Sequence, residues 1–508
     1  MAVSPALLLL IVYCSFVVDV SGYNFSLAEA TVAELQQALK QNTLTSRQLV
    51  EYYLSQILEI NPRIRGIIEV NPDVLILADE ADMERMSGAA NASSALHGIP
   101  ILLKDNIATM DKLNTTAGSF ALLGSVVSRD SGVAAKLRAA GAIILGKAAL
   151  SEWAYYRSST APNGWTGRGG QALNPYVMSA DPCGSSTGSA ISVASNMVAV
   201  ALGTETDGSI ICPSSANSVV GIKPTLGLTS RAGVVPISPR QDTVGPICRT
   251  VSDAAYVLDA IVGYDPNDNA TIAASKFIPP GGYIQFLNAN GLQGKRLGIV
   301  RNPFFVFPNG SYQTQAFENH FQTLSENGAI LVDNLVLANI SMINSGESET
   351  IALATEFKIA LASYLSELTV SPIRTLADAI SFNLNYSTLE MIPQWGQDIF
   401  LQSENTTGTG SPAYQAALAN MLSLTENGIV MLMTQNNLDA LITPDSTVTS
   451  VLAIGGFPGI SVPAGYGPDG TPFGICFSGL QGYEPRLIEI AYGFEQATNI
   501  RKPPTFLV

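Results

Sequence analysis

The feature that most constrains this chain is an alternation. From Gly98 onward, short apolar runs take turns with stretches of helical periodicity: residues 131–140 and 188–195 read as helices, residues 142–147 and 198–203 as strands. A strand covered on both faces is a near-continuous apolar run, and a helix between two such runs is the crossover that parallel strands require. The fold class that satisfies this pattern is α/β, a central sheet flanked by helices. Ahead of it, residues 31–40 and 46–60 read as amphipathic helices; Thr31 and Thr45 can cap them, and Asn61-Pro62 is the expected stop of the second. Between about residues 304 and 438 the text shifts to longer helical stretches, 348–365 and 413–427, parted by the polar run 403–411. We read this as a helical insertion. Residues 440–443 and the Gly/Pro-rich 455–465 return to sheet-like text, and no internal repeat is evident, so N- and C-terminal segments are expected to share one sheet in a single large domain, residues 23–508.

At the N-terminus an apolar run, residues 7–18, precedes Asp19 and the small residues Val20-Ser21-Gly22, which suit cleavage before Tyr23. Residues 1–22 are expected to be a signal peptide, although no Lys or Arg precedes the run, and no later segment reads as a membrane span. Asn-x-Ser/Thr acceptors begin at Asn24, Asn91, Asn114, Asn269, Asn309, Asn339, Asn385 and Asn405, consistent with the secretory pathway: extracellular, vacuolar or the ER lumen. Beyond the signal, Cys183, Cys212, Cys248 and Cys476 are too scattered for a disulfide scaffold or a metal cluster; they leave room for one bridge without assigning it. The formal net charge is -15 and no Lys/Arg cluster stands out, which argues against nucleic acid or an anionic membrane surface as partner.

Only two histidines occur, His97 and His320, which limits any mechanism built on an imidazole base or a histidine metal site. His320 falls in an expected surface helix and His97 precedes a strand, so both read as structural. No G-x-S-x-G elbow is present to serve a Ser-His-Asp triad, and no phosphate-binding loop points to a nucleotide. The informative text is elsewhere. Asp181-Pro-Cys-Gly-Ser-Ser-Thr-Gly-Ser-Ala190 is a run of small residues leading into an apolar helix, whose N-terminus offers free N–H groups. Gly203-Thr-Glu-Thr-Asp-Gly-Ser209 is a second small-residue turn after a strand, where consecutive N–H groups can hold an oxyanion. Finally, Lys104 ends the apolar run from Ile99. A surface position is the ordinary reading of any single lysine, but one that leaves a buried strand is desolvated, and a neutral amine is a general base.

These segments, with Thr115-Thr-Ala-Gly-Ser119, Gly141-Ala-Ile-Ile-Leu-Gly-Lys147, Gly221-Ile-Lys-Pro224, Gly245-Pro-Ile-Cys-Arg249 and Pro458-Gly-Ile-Ser-Val-Pro463, resemble the amidase signature family, serine hydrolases that use a Ser-cisSer-Lys triad. The resemblance runs from about Phe25 to the C-terminus and looks closest to plant amidases and bacterial peptide-amidase-like members. It implies one amidase-signature domain with a central mixed, twisted β-sheet. Residue by residue, it implies Lys104 as base, Ser185 after a cis peptide as proton relay, Ser209 as nucleophile, and the N–H groups of Thr206, Asp207, Gly208 and Ser209 as oxyanion donors. Asp207 and Cys183 stand where many members have glycine, and Asp207 places a carboxylate near the nucleophile. No cofactor and no metal is implied, and the partner is a small-molecule amide. Members of the family cleave aliphatic, aromatic, peptide C-terminal and fatty-acid amides, and the sequence does not choose among them. Two other readings are the glutaminase subunit of a tRNA-dependent amidotransferase, which sits poorly with a signal peptide, and a secreted non-catalytic binding protein of the same fold, which sits poorly with an intact Lys104, Ser185 and Ser209.

Overall fold

The structure is a computed structural model and describes residues 18–20, 23–89 and 94–505. The expected signal segment lies almost wholly outside the described residues, and the acceptor Asn91 lies outside them too. A single 11-stranded mixed sheet organises the chain. In chain order its strands are β1 (Ile67–Val70), β2 (Pro100–Lys104), β3 (Ile143–Ala148), β4 (Val200–Glu205), β5 (Val220–Lys223), β6 (Thr243–Cys248), β7 (Arg296–Ile299), β8 (Ile330–Val332), β9 (Ala440–Pro444), β10 (Gly459–Tyr466) and β11 (Pro472–Ser478). Their spatial order is β8-β7-β9-β11-β10-β5-β6-β4-β2-β3-β1. N- and C-terminal segments therefore share the sheet, as the return to sheet-like text after residue 438 implied.

Toward the β1 edge, β2 runs parallel to both β3 and β4, and β6 pairs antiparallel with β4. Every residue of β2 and β4 is buried, which is why both strands read as continuous apolar text rather than an alternation. Helix α1 (Val32–Lys40) and helix α2 (Ser46–Ile64) open with capping boxes at Thr31 and Thr45. The second helix does not stop at Asn61-Pro62 but carries Pro62 inside it and ends at Ile64. The carbonyl that Pro62 leaves without a donor belongs to Leu58, whose residue is 80% exposed, so water can take the place of the lost bond. His320 is helical as expected, within Tyr312–Glu326, yet its ring is buried rather than at the surface.

Within residues 304–438, Ile330–Val332 joins the sheet as edge strand β8, and helices follow from Ile340 to Gln435. The longest, Glu347–Glu367, buries Phe357, Leu361 and Leu365 in a second core with Ala121, Leu122, Trp153 and Ile237. By length and composition alone, the stretch Pro412–Gln435 is apolar enough to cross a membrane, against the expectation that none would be. Here it is broken by a π turn at Glu426–Val430 and buries Ala417, Met421 and Leu424.

A buried polar clamp ties this helical layer to the sheet. Glu390 accepts hydrogen bonds from Ser119 Oγ and the Phe120 N–H, both at 2.9 Å, and pairs with Arg157 at 3.3 Å. Arg157 also pairs with Glu152, whose carboxyl is pushed well up by burial and by the charge of Glu390. Replacing Glu390 with Ala orphans the Phe120 N–H, but Glu152 remains to neutralise Arg157. The loss should therefore be about 1–3 kcal/mol, as for an unsatisfied buried donor, rather than the ~3–5 kcal/mol of a broken buried ion pair. Urea denaturation of Glu390→Ala measures it, and limited proteolysis should cut within residues 340–435 before the rest of the chain unfolds.

Candidate active site

Three segments far apart in sequence meet at the end of the parallel strands. The first is β2, which delivers Lys104 to the interior with no exposed surface. Its Nζ lies 2.7 Å from Ser185 Oγ, 3.0 Å from Ser186 Oγ, 2.9 Å from Thr204 Oγ1 and 3.0 Å from the Thr204 carbonyl oxygen. Burial holds this amine well below the usual lysine range, against the opposing pull of the carboxylates of Glu205 and Asp242. A neutral amine has two hydrogens and one lone pair. The Thr204 carbonyl can only accept. Ser186 spends its hydrogen on that same carbonyl, 3.0 Å away, while accepting the Thr204 N–H. The neighbours other than Ser185 can thus take the amine's hydrogens and leave its lone pair for the Ser185 hydroxyl.

The second segment runs from Cys183 into helix α3 (Thr187–Ala194). The peptide between Gly184 and Ser185 is cis, as the resemblance implied. The Ser186 N–H donates to the Ser209 carbonyl at 3.1 Å, binding the second segment to the third. Gly203 of β4 is required by their closeness, since a Cβ there would meet Ser186 Oγ at 2.8 Å.

The third segment is the turn 206–209, between β4 and helix α4 (Ile211–Ala216). Glu205 folds back over it, accepting the N–H groups of Ile210 at 2.6 Å and Ile211 at 2.9 Å. Thr206 Oγ1 donates to Asp242 at 2.6 Å. Gly208 takes φ +77°, a conformation that favours glycine. Among the described residues, no acceptor takes the backbone N–H groups of Thr206, Asp207, Gly208 or Ser209, and the Ser209 hydroxyl has no hydrogen-bond partner. These donors and this hydroxyl are free for a ligand.

Ser185, Thr206, Asp207 and Ser209 line one cavity of about 160 Å³, closed by Tyr155, Tyr156, Ile237 and, from the helical layer, Leu353. Four of the six anticipated residues thus line one space, while Lys104 touches Ser185 from within the core and Gly208 sits inside the turn. Lys104 and Ser185 are in hydrogen-bond contact; Ser185 and Ser209 share the cavity without a direct bond, a link that such sites often close only around substrate. Sequence reasoning missed Asn106, Ser186, Thr204, Glu205 and Asp242. Of these, Asn106 supports Thr204 Oγ1 at 3.0 Å, and its only signal is its place two residues after the lysine.

Neither histidine is in contact with these groups. His97 Nε2 lies 3.0 Å from Glu84, and His320 Nε2 lies 2.6 Å from the Ala464 carbonyl. Cys183 and Cys212 form a disulfide, resolving the pairing that spacing left open, while Cys248 and Cys476 are free and buried. Cys183 adopts φ +51°, in the left-handed region that favours glycine.

The sequence matches a family model described as Amidase over residues 48–454. An Arabidopsis thaliana protein described as "Probable amidase" is 57% identical over 95% of this chain and 93% of its own. The crystal structure of native peptide amidase from Stenotrophomonas maltophilia superposes with a TM-score of 0.88 at 41% identity, covering 94% of this chain and 99% of the other. Further off, a glutamyl-tRNA(Gln) amidotransferase component of Microcystis aeruginosa is 29% identical over 94% of this chain and 99% of its own.

The buried amine has a consequence for stability. Unfolded, a lysine keeps its proton up to about pH 10.5; folded, Lys104 gives it up much lower. Between those limits the unfolded chain binds the extra proton, so this site's contribution to stability rises with pH by up to about 1.4 kcal/mol per unit. Lys104→Met removes that slope. Its stability relative to wild type, read from urea denaturation, should increase as pH falls from about 10 and level off once Lys104 is protonated in both states.

Proposed function

This chain belongs to the amidase family, and we propose that it hydrolyses carboxamides through an acyl-enzyme on Ser209, with Ser185 and Lys104 moving the protons. The observation that carries the reading is the 2.7 Å contact between Lys104 Nζ and Ser185 Oγ in a site without exposed surface at the lysine. An amide is a poor electrophile and a serine hydroxyl a poor nucleophile, so both must be helped. Neutral Lys104 takes the Ser185 proton as Ser185 takes the Ser209 proton; Ser209 Oγ bonds to the acyl carbon and the carbonyl oxygen becomes an oxyanion facing the N–H groups of residues 206–209. The C–N bond then breaks, and the proton returns through Ser185 to the departing amine. Water enters, loses a proton to the same relay, and releases the acid as Ser209 regains its hydrogen. Each oxyanion donor of this kind is worth about 3 kcal/mol of barrier, so the turn contributes as much as any member of the relay.

For substrate class, the likeness to a peptide amidase favours a carboxamide on a peptide-like acyl group, held between Tyr155, Tyr156 and Leu353. The amidotransferase reading rests on a more distant relative. Ser209→Ala should remove hydrolysis of C-terminal peptide amides and labelling by a fluorophosphonate, and Lys104→Ala should lower kcat on the order of a thousandfold or more with the fold intact. Full activity in purified Lys104→Ala would sink the assignment. Because the free enzyme works with Lys104 unprotonated, kcat/KM should climb from acid toward neutral and alkaline pH. Asp242→Asn removes a charge that favours the ammonium, so the acid limb should move to lower pH.

We also propose a secretory location. The expected signal, the Cys183–Cys212 bridge and the exposure of Asn269, Asn309, Asn339, Asn385 and Asn405 support it. Asn114 is different: its Nδ2 donates to Glu69 at 3.1 and 3.2 Å. Glycosidase treatment of protein from a eukaryotic host should lower its mass, and peptide mapping should find glycan at exposed acceptors and none at Asn114.

A further inference from the structure

The cavity above the nucleophile has an unusual charge inventory for an enzyme whose product is an acid. Among the described residues lining it, Asp207 supplies the one carboxylate, and no lysine or arginine joins it. A pocket meant to hold a carboxylate places a guanidinium or ammonium against it. Here the opposite charge lines the wall.

The surroundings of Asp207 add to this. Ser450 Oγ donates to its Oδ2 at 2.7 Å and fixes the side chain. From the helical layer, Glu349 interacts with it through charge, and Glu349 in turn accepts from Gln241 Nε2 at 2.6 Å. Gln241 is fully buried, lies 3.5 Å from the Thr206 carbonyl, and wires Glu349 to the turn that carries the oxyanion donors. Two cations act on the pair through charge, Lys223 on Asp207 and Arg240 on Glu349, but neither lines the cavity and each is engaged elsewhere. Lys223 is buried with its Nζ on the Phe457 carbonyl at 2.6 Å, Arg240 is bound to Glu356 at 2.9 Å, and Glu205 is a third acid. Burial pushes the Asp207 carboxyl up, and burial together with Asp207 pushes Glu349 up to about 8. The pair therefore gains negative charge through the neutral and alkaline range.

We propose that Asp207, backed by Glu349, makes the catalytic cavity reject anions: it admits amides whose acyl group is uncharged beside the scissile carbonyl, and it repels the carboxylate that hydrolysis leaves there. The tetrahedral oxyanion is spared because it sits in direct contact with the N–H groups of residues 206–209. The product carboxylate has two oxygens, and only one can occupy that cradle; the other meets a wall without a cation. This inference rests on Ser209 being the nucleophile.

The test uses two fluorophosphonates that differ in one short arm, propyl against 2-carboxyethyl, on the full-length enzyme. In each, Ser209 Oγ displaces fluoride from phosphorus while the serine proton passes to the relay, and the labelling rate is read by mass spectrometry. Taking the ratio of the two rates cancels the state of Lys104. In wild type the propyl probe should react at least about tenfold faster at pH 9, since unit charges within roughly 8 Å at an effective dielectric near 20 repel by more than that factor requires. The ratio should shrink toward pH 6. Asp207→Asn should lower the ratio at pH 9, and Glu349→Gln should flatten its pH dependence, a readout that a purely structural role would not move. Equal rates for the two probes in wild type, or an unchanged ratio in Asp207→Asn, overturn the proposal. If Asp207→Asn does not fold, Glu349→Gln decides: a ratio that still follows pH as in wild type overturns it. A wild-type enzyme that the propyl probe leaves unlabelled at Ser209 overturns the nucleophile assignment, and this inference falls with it.

Discussion

The desolvation of one amine organises this molecule. Lys104 ends a strand whose every residue is buried, flanked by parallel strands on both sides. A strand inside the sheet carries a lysine inward without lending it water, and desolvation is what lets the amine lose its proton well below its usual range. The helices on the sheet faces, the close approach that Gly203 permits and the carboxylates of Glu205 and Asp242 at a tempering distance follow from keeping that nitrogen dry yet partnered. The arrangement makes an imidazole unnecessary, and both histidines are accordingly occupied elsewhere.

What could be read from the amino-acid order was whatever is local. Lys104 ends an apolar strand, Ser185 and Ser209 sit just before helices inside runs of small residues that have few other uses, and the fold class followed from buried strands alternating with helices. What could not be read depends on distant residues meeting. Gln241 reaches Glu349 across 108 positions, and Leu353 joins the cavity from a helix whose own periodicity says only that it packs. The cysteine pairing was of this sort too, since four thiols allow several bridges and only the folded chain puts two α-carbons 5.9 Å apart. Pro62 failed as a stop signal for a different reason: near a helix end, on the wet side, a lost hydrogen bond is replaced by water.

The helical layer and the sheet divide the work. The sheet supplies the hydroxyls, the amine and the turn; the layer supplies Leu353 and Glu349, and so the shape and charge of the space above them. Glu390 joins the two layers through buried contacts on Ser119 and Phe120, close in sequence to the Thr115–Ser119 run beside the sheet. Pocket walls can therefore change on one layer while the reacting groups stay fixed on the other.

The Cys183–Cys212 bridge ties the residue two before Ser185 to the residue three after Ser209, closing a span of 29 positions. A loop of that length, cross-linked, is worth roughly 3–4 kcal/mol through the freedom it removes from the unfolded chain. An average substitution costs about 1 kcal/mol. The covalent tie thus gives the lineage room for mutational drift, about three or four ordinary replacements elsewhere, before the alignment of its two reactive hydroxyls is put at risk.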